Sequence, residues 1–293
     1  MTRFIYIADS HFGADPMGYQ QQTGYPQRLP DILAALWAHP AVKGGIDFVL
    51  HGGDMIDSTT NDHIHTAAKL FELPVPVYLC LGNHDLTTPD AAGRWLEQAP
   101  RLFRGGTPNY TVVAAECVIH VVPNHWGDKP YYWAESQEAS LDSGQLEQLA
   151  QGLVTHPELP HIILTHSPVW GLPTAQTGLA EPYHPPRGSL AGAIMALVAE
   201  NTNVTCVLGA HNHLNMRVNH AGAEFVTVSS LVETPFEFKL FEVTPQRMEM
   251  TTLSLSAALP FQGEYDPAKS FVQGRAVDRS FSRRHGSASN SGN

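Results

Sequence analysis

The chain is expected to fold as an α/β protein built on parallel strands joined by helical crossovers, and three observations lead there. Short apolar runs rich in Val, Ile and Leu alternate with helical patterns along most of its 293 residues, the order that places helices over a parallel sheet. Five of these runs stop at a turn that carries Asp, His or Asn. With 43% hydrophobic and only 15% charged residues, the chain has the composition of a globular protein with a sizeable core.

The first run, FIYIA (4–8), ends at Asp9 and His11, and LPDILAALWAH after Arg28 reads as the first helix. IDFVL (46–50) is followed by HGGDMID, which contains Asp54, and then by NDHIHTAAKLFEL, a second helix from Asn61. VPVYLCL (75–81) ends at GNHD, giving Asn83, His84 and Asp85. A helix from Ser143 (SGQLEQLAQGL) precedes HIILT (161–165), which stops at His166. A last helix from Gly188 (GSLAGAIMALVAEN) leads into VTCVL (204–208), after which come His211 and His213. Functional groups in an open α/β sheet lie beyond the carboxyl ends of its strands, so all five turns are expected at one edge of one sheet. Gly52, Gly53, Gly82 and Gly209 allow the sharp turns this requires.

Bulk properties narrow the partners. The net charge of −11 opposes a nucleic-acid polymer, whose binders present a basic face. Cys80, Cys117 and Cys206 sit inside apolar runs and show no paired spacing, which reads as buried thiols in a reducing compartment. No apolar stretch reaches the roughly 20 residues that span a bilayer, and MTRFIYIADSH does not read as a signal peptide. A soluble, cytoplasmic location with no membrane partner is expected.

Carboxylate, amide and imidazole groups gathered at strand ends, with no thiolate nearby, suit a pair of divalent cations. Two such ions about 3.5–4 Å apart can share a carboxylate and a hydroxide for in-line attack on phosphorus. The succession Asp-x-His, Gly-Asp, Gly-Asn-His-Asp, His, His-x-His resembles the calcineurin-like metallophosphoesterase superfamily over roughly residues 3–243.

That resemblance implies a four-layer α/β/β/α sandwich with two mixed β-sheets, the second made from 110–115, 117–122, 224–230, 236–243 and 247–255. It implies Asp9, His11 and His213 as ligands of one metal, Asn83, His166 and His211 as ligands of the other, and Asp54 as the bridge. His84 would be the uncoordinated catalytic histidine, with Asp85 as its orienting partner. The ions would be Mn, Fe or Zn. One departure is that Ala210 separates Gly209 from His211, where the family usually writes Gly-His-x-His.

GDMIDST lacks the arginine that protein Ser/Thr phosphatases carry after this Gly-Asp. SSLVETPFEFKLFEV is similar to the end of the bacterial cyclic-nucleotide phosphodiesterase and glycerophosphodiesterase branch. The expected activity is therefore hydrolysis of small-molecule phosphodiesters by a metal-bridging hydroxide. Phosphomonoesterase activity is the nearest alternative and a non-catalytic protein-binding scaffold a distant one.

Other residues are read more blandly. His51 is expected to support or pack, and Asp57 to bond a neighbouring turn. Asn124 and His125 approach the site if the strand before them points there. Loops 12–27, with Tyr19 and Tyr25, and 167–187, with Arg187, are either lids or plain connections. Residues 1–258 are taken as the catalytic domain and 259–293 as an extension, disordered over its last eight residues. Its segment 271–281 would pack on this chain or on a second subunit, leaving a homo-oligomer open.

Overall fold

A computed structural model of the chain describes residues 1–15, 21–186 and 188–285. Tyr19, Arg187 and residues 286–293 lie outside the described residues. The strands in chain order are β1 (Thr2–Ile7), β2 (Phe48–His51), β3 (Val77–Leu79), β4 (Tyr110–Val113), β5 (Val118–Val121), β6 (His125–Trp126) and β7 (Ala139–Ser140). They continue with β8 (His161–Leu164), β9 (Val204–Gly209), β10 (Met216–His220), β11 (Ala223–Thr227), β12 (Glu237–Val243), β13 (Arg247–Ser254) and β14 (Ser280–Arg284).

Two mixed six-stranded sheets, in the orders β14-β13-β12-β1-β2-β3 and β10-β11-β9-β8-β5-β4, face one another and are flanked by helices. This is the expected four-layer α/β/β/α arrangement. Fully buried runs such as Phe4–Ile7 and Ile162–Leu164 belong to central strands, which are covered on both faces. Phe4 anchors the first sheet: its ring stacks on Phe48 and on Phe241, with centroids 5.2 and 4.8 Å apart. Tyr6 Oη reaches across from β1 to donate to the Gly209 carbonyl at 2.6 Å, joining the two sheets near the ends of their strands.

The four expected helices form at Leu29–Ala38, Asn61–Leu70, Ser143–Leu153 and Gly188–Glu200. Their starts follow local chemistry. Thr60 Oγ1 accepts from the His63 N–H at 3.1 Å, and Asp142 and Gln145 form a reciprocal capping box, satisfying amide donors that a helix start leaves open. A further helix, Ala91–Gln98, buries Ala91 and Trp95.

Two expectations about the sheets are corrected. The five turns that carry Asp, His or Asn do not leave one sheet: β1, β2 and β3 belong to the first, β8 and β9 to the second. Residues 236–243 and 247–255 do not join the second sheet either. They form β12 and β13, which extend the first sheet beside β1. The apolar pattern of a strand states that it is buried, whereas its neighbour is chosen by chain-distant pairing. Residues 110–115, 117–122 and 224–230 do supply the second sheet, through β4, β5 and β11.

The C-terminal segment packs on this chain. β14 pairs antiparallel with β13, and the Asn215 N–H donates to the Val272 carbonyl at 2.9 Å. No helix among the described residues is long and apolar enough to cross a membrane.

Candidate metal centre

Register brings the turns to one level. Ile7 pairs with His51 and His51 with Leu79, so the turns bearing Asp9, Asp54 and Asn83 leave the first sheet side by side. Leu164 pairs with Leu208, which does the same for His166 and His211 in the second. Because the sheets face each other, the two sets of turns meet.

The backbone at these turns is unusual. Asp9, His11, Asp54, His211 and His213 all have left-handed conformations, with φ of 54°, 40°, 52°, 66° and 55°. Such conformations cost non-glycine residues on the order of 1–3 kcal/mol each and persist where surrounding structure enforces them. The enforcement is visible: the Asp9 N–H donates to the Gly53 carbonyl and the His11 N–H to the Asp54 carbonyl, both at 2.9 Å. Ala210 fits this scheme, since its N–H donates to the His166 carbonyl at 2.7 Å and ties the His211–His213 turn to the end of β8. Gly53 (φ 113°) and Gly82 face a tight space, where a Cβ would collide with the His166 ring and with Asp54 respectively.

Two donor clusters result. Asp9, His11 and His213 offer atoms within 4.8 Å of one another, and so do Asp54, His166 and His211. Asn83 Oδ1 joins the second, 3.2 Å from His166 Nε2 and 3.0 Å from His211 Nδ1. Asp54 lies between them. Its Oδ2 is 3.2 Å from His166 Nε2 and 3.7 Å from His11 Nε2, and its Oδ1 accepts from the His84 N–H at 2.8 Å.

The proton inventory fits cations here. His11 Nδ1 lies 3.2 Å from Asp57 Oδ1 and His213 Nδ1 2.5 Å from Glu233 Oε1. A carboxylate only accepts, so each Nδ1 carries the hydrogen and each Nε2 is left for a proton or a cation. Those two Nε2 atoms face each other at 3.1 Å, close enough to share either a proton or a cation. Likewise His166 Nδ1 donates to the Gly52 carbonyl at 2.8 Å, turning its Nε2 towards the oxygens of Asn83 and Asp54. Asp9 Oδ2 is buried with no hydrogen-bond partner among the described residues, as a metal-binding oxygen would be.

Electrostatics set protons against cations at these donors. Burial pushes the Asp9 carboxyl up to about 6. Burial also opposes charge on Asp54, yet His166, His84 and His11 hold its carboxyl well below the usual range. For His166 and His213, burial is outweighed by Asp54 in the first case and by Glu233 in the second, and both rise to about 9. The carboxylates thus attract positive charge to the ring nitrogens, in competition with a metal, so metal affinity is coupled to pH.

His84 and Asp85 part company. The His84 ring is held through Nδ1, which donates to the Asp57 carbonyl at 2.8 Å and sits 3.4 Å from Asp57 Oδ1. Asp85 faces elsewhere: Oδ1 accepts from Met55 and Ile56 N–H at 3.0 and 3.1 Å, and Oδ2 from Gly82 N–H at 2.9 Å. The expectation that Asp85 orients His84 is therefore corrected, because a buried carboxylate beside three unpaired amides is taken up by them. Asp57, expected to bond only a neighbouring turn, does the orienting and touches His11 as well. His11, Asp57 and His84 also converge closely enough to hold an ion. The signal for Asp57 was its spacing of three from Asp54. Glu233 had none.

His51 is buried, hydrogen-bonded to Ser10 Oγ at 2.9 Å and packed on Phe71, so it supports the site from behind. Asn124 Oδ1 accepts from the Ser167 N–H at 2.7 Å, beside His166. The His125 ring turns to Asp142 Oδ2, 3.1 Å from Nε2, while its neighbour Trp126 packs on His211 with centroids 5.0 Å apart. A cavity of about 570 Å³ opens over the clusters.

The fold has known relatives. A dimetal phosphatase from Danio rerio superposes with a TM-score of 0.63 at 17% identity, covering 87% of this chain and 96% of the other. GAP50, the anchor in the inner membrane complex of Plasmodium, gives 0.60 at 11% identity over 91% and 90%. No curated protein matches the chain. The sequence model for calcineurin-like phosphoesterases matches residues 2–215, the span that holds both donor clusters. With its paired sheets and its imidazole and carboxylate turns, this chain is a member of the calcineurin-like phosphoesterase family.

Proposed function

We propose that the protein hydrolyses small-molecule phosphodiesters with two divalent metal ions. One observation carries the reading: Asp54 Oδ2 faces a ring nitrogen from each donor cluster, at 3.2 and 3.7 Å. Asp9, His11 and His213 would hold one ion, Asn83, His166 and His211 the other, with Asp54 shared. Mn, Fe and Zn all accept such nitrogen and oxygen donors. When bound, the ions supply Lewis-acid polarisation of the phosphoryl oxygens and lower the pKa of a water.

The chain's own residues supply the rest. His84 is fixed through Nδ1, leaving Nε2 as the ring nitrogen for substrate, and it lines the cavity. From there it can protonate the leaving oxygen, with Asp57 keeping the ring in place. Cavity charge favours a diester over a monoester. Among the described residues that line it none is Lys or Arg, while Asp15 and Asp57 add carboxylates. A dianionic monoester would meet little positive charge beyond the ions and His84. The net charge of −11 also opposes a nucleic-acid polymer as substrate, and three buried free cysteines accord with a cytoplasmic location.

The test is His84→Ala with metal content and kcat measured together. Both ions should be retained, and kcat on an alkyl phosphodiester should fall by about 10²–10⁴-fold, the usual contribution of a positioned acid. On a nitrophenyl diester, whose leaving group needs no proton, the loss should be far smaller. Loss of an ion would make His84 a ligand. Equal slowing of both diesters would remove it as the acid, and wild-type activity on monoesters alone would sink the phosphodiesterase reading.

A further inference from the structure

The wall of the cavity beside His84 is aromatic. The Trp133 ring lies 4.7 Å from the His84 ring, centroid to centroid, at a 42° tilt. It is pinned at both ends: its backbone N–H donates to the Leu86 carbonyl at 2.8 Å, and its Nε1–H to the Ser136 carbonyl at 2.9 Å. The indole is only half-buried and lines the cavity with no polar atom left to satisfy. Tyr183 and His184, whose rings meet edge to face at 4.2 Å, line the same cavity from the loop after His166. Gln21 and Gln137 add neutral donors and acceptors. This lining offers little to a second phosphate and much to a flat ring with polar edges.

Position makes the wall informative. An acid that protonates the leaving oxygen must sit beside it, so the group on that oxygen lies next to whatever touches the acid and faces the same cavity. His11 and Asp57 also touch His84 and line the cavity, but both belong to a donor cluster; Trp133 is the neighbour that offers an apolar face. We propose that Trp133 is the platform of a leaving-group subsite for a planar ring, so that diesters releasing a nucleoside or an aryl alcohol are preferred over those releasing glycerol. The proposal rests on the phosphodiesterase reading above. A rigid aromatic face suits it because stacking demands no matched hydrogen bonds and little loss of side-chain freedom.

The experiment uses the full chain loaded with Mn and three diesters sharing a methyl group, with adenosine, phenol or glycerol as the other alcohol. Trp133→Ala should lower kcat/KM by about 10- to 100-fold on the ring-bearing diesters, the range for losing one ring stack, and change the glyceryl diester little. Trp133→Phe should restore most of the loss. The adenosyl and phenyl arms separate a nucleoside site from a general aryl site. Equal loss on the glyceryl diester would show that Trp133 acts only through His84 and would overturn the proposal, as would no loss on any substrate.

A second readout does not depend on the reaction. Saturation-transfer NMR on metal-free protein should show adenosine bound by wild type and Trp133→Phe, with the signal lost in Trp133→Ala and absent for glycerol. If wild type proved inert on all three diesters, the phosphodiesterase reading would fall, yet this measurement would still decide the subsite. A Trp133-independent signal, or none, would overturn it.

Discussion

Glu233 lies within SSLVETPFEFKLFEV but outside the Asp, His and Asn turns, and it is tightly held near the site. It is 0% exposed, its Oε1 lies 2.5 Å from His213 Nδ1, and its Oε2 is buried with no hydrogen-bond partner among the described residues. A carboxylate behind a metal-binding imidazole fixes the tautomer and makes the other nitrogen a better donor, and removing it typically costs 10- to 100-fold in metal affinity. Glu233→Gln should therefore weaken binding at the Asp9, His11 and His213 cluster by roughly that factor, leaving the Asn83, His166 and His211 cluster near its wild-type affinity. Calorimetric titration of metal-free protein with Mn would resolve the two sites. Equal affinity in mutant and wild type would reduce Glu233 to packing. Asp57 shows the same principle in a legible motif, while Glu233 reaches His213 only because the chain folds back after β11.

Among the elements, β12 carries the largest internal conflict. Lys239 is 0% exposed on this central strand, with Nζ donating to Thr252 Oγ1 of β13 at 2.9 Å. Burial pushes its ammonium down to about 7, against the pull of Glu237 and Asp278 towards the charged form, while Arg279 adds repulsion. The unfolded chain keeps this lysine protonated to about pH 10.4. Between pH 7 and about 10.4 the unfolded state thus binds more protons, and the lysine's contribution to stability rises with pH across that window. Below pH 7 the native state holds the buried charge and the penalty is complete. Lys239→Met, similar in length and uncharged, should raise stability by about 1–4 kcal/mol at pH 6, and the gain should shrink towards pH 10. Urea unfolding of both proteins at the two pH values measures it. A mutant less stable at pH 6 would mean that Glu237 and Asp278 hold the lysine as a paired cation.

For the whole molecule, the decisive feature is that neither sheet holds the centre alone. Asp9, His11, Asp54 and Asn83 leave the first sheet, whereas His166, His211 and His213 leave the second. An ion bound as proposed would therefore staple the two sheets at the end where Tyr6 already joins them. Ions that bind only the native state add RT ln(1 + [L]/Kd), about 2.7 kcal/mol at a hundredfold excess over Kd. Exhaustive chelation should lower Tm by several degrees, at roughly 2–4 °C per kcal/mol for a chain of this size, and Mn should restore it. An unchanged melt, with full activity after chelation, would remove the dinuclear reading.

FIYIA, HIILT and VTCVL announced buried strands because a strand covered on both faces must be apolar throughout, a property written residue by residue. The helices from Asn61 and Ser143 were legible for a similarly local reason, since their caps lie within three residues of their starts. The turns that bear Asp9, His11, Asp54, Asn83, His166, His211 and His213 could be located from the residues that end each strand. Local sequence could not say that these turns come from two facing sheets, that β12 sits beside β1, that Asp57 rather than Asp85 holds His84, or that Glu233 stands behind His213. Each of those facts is a contact between distant segments. Which carboxylate reaches which ring depends on strand register, on left-handed turns and on competition from buried amides, and only the folded chain brings those forces to bear together.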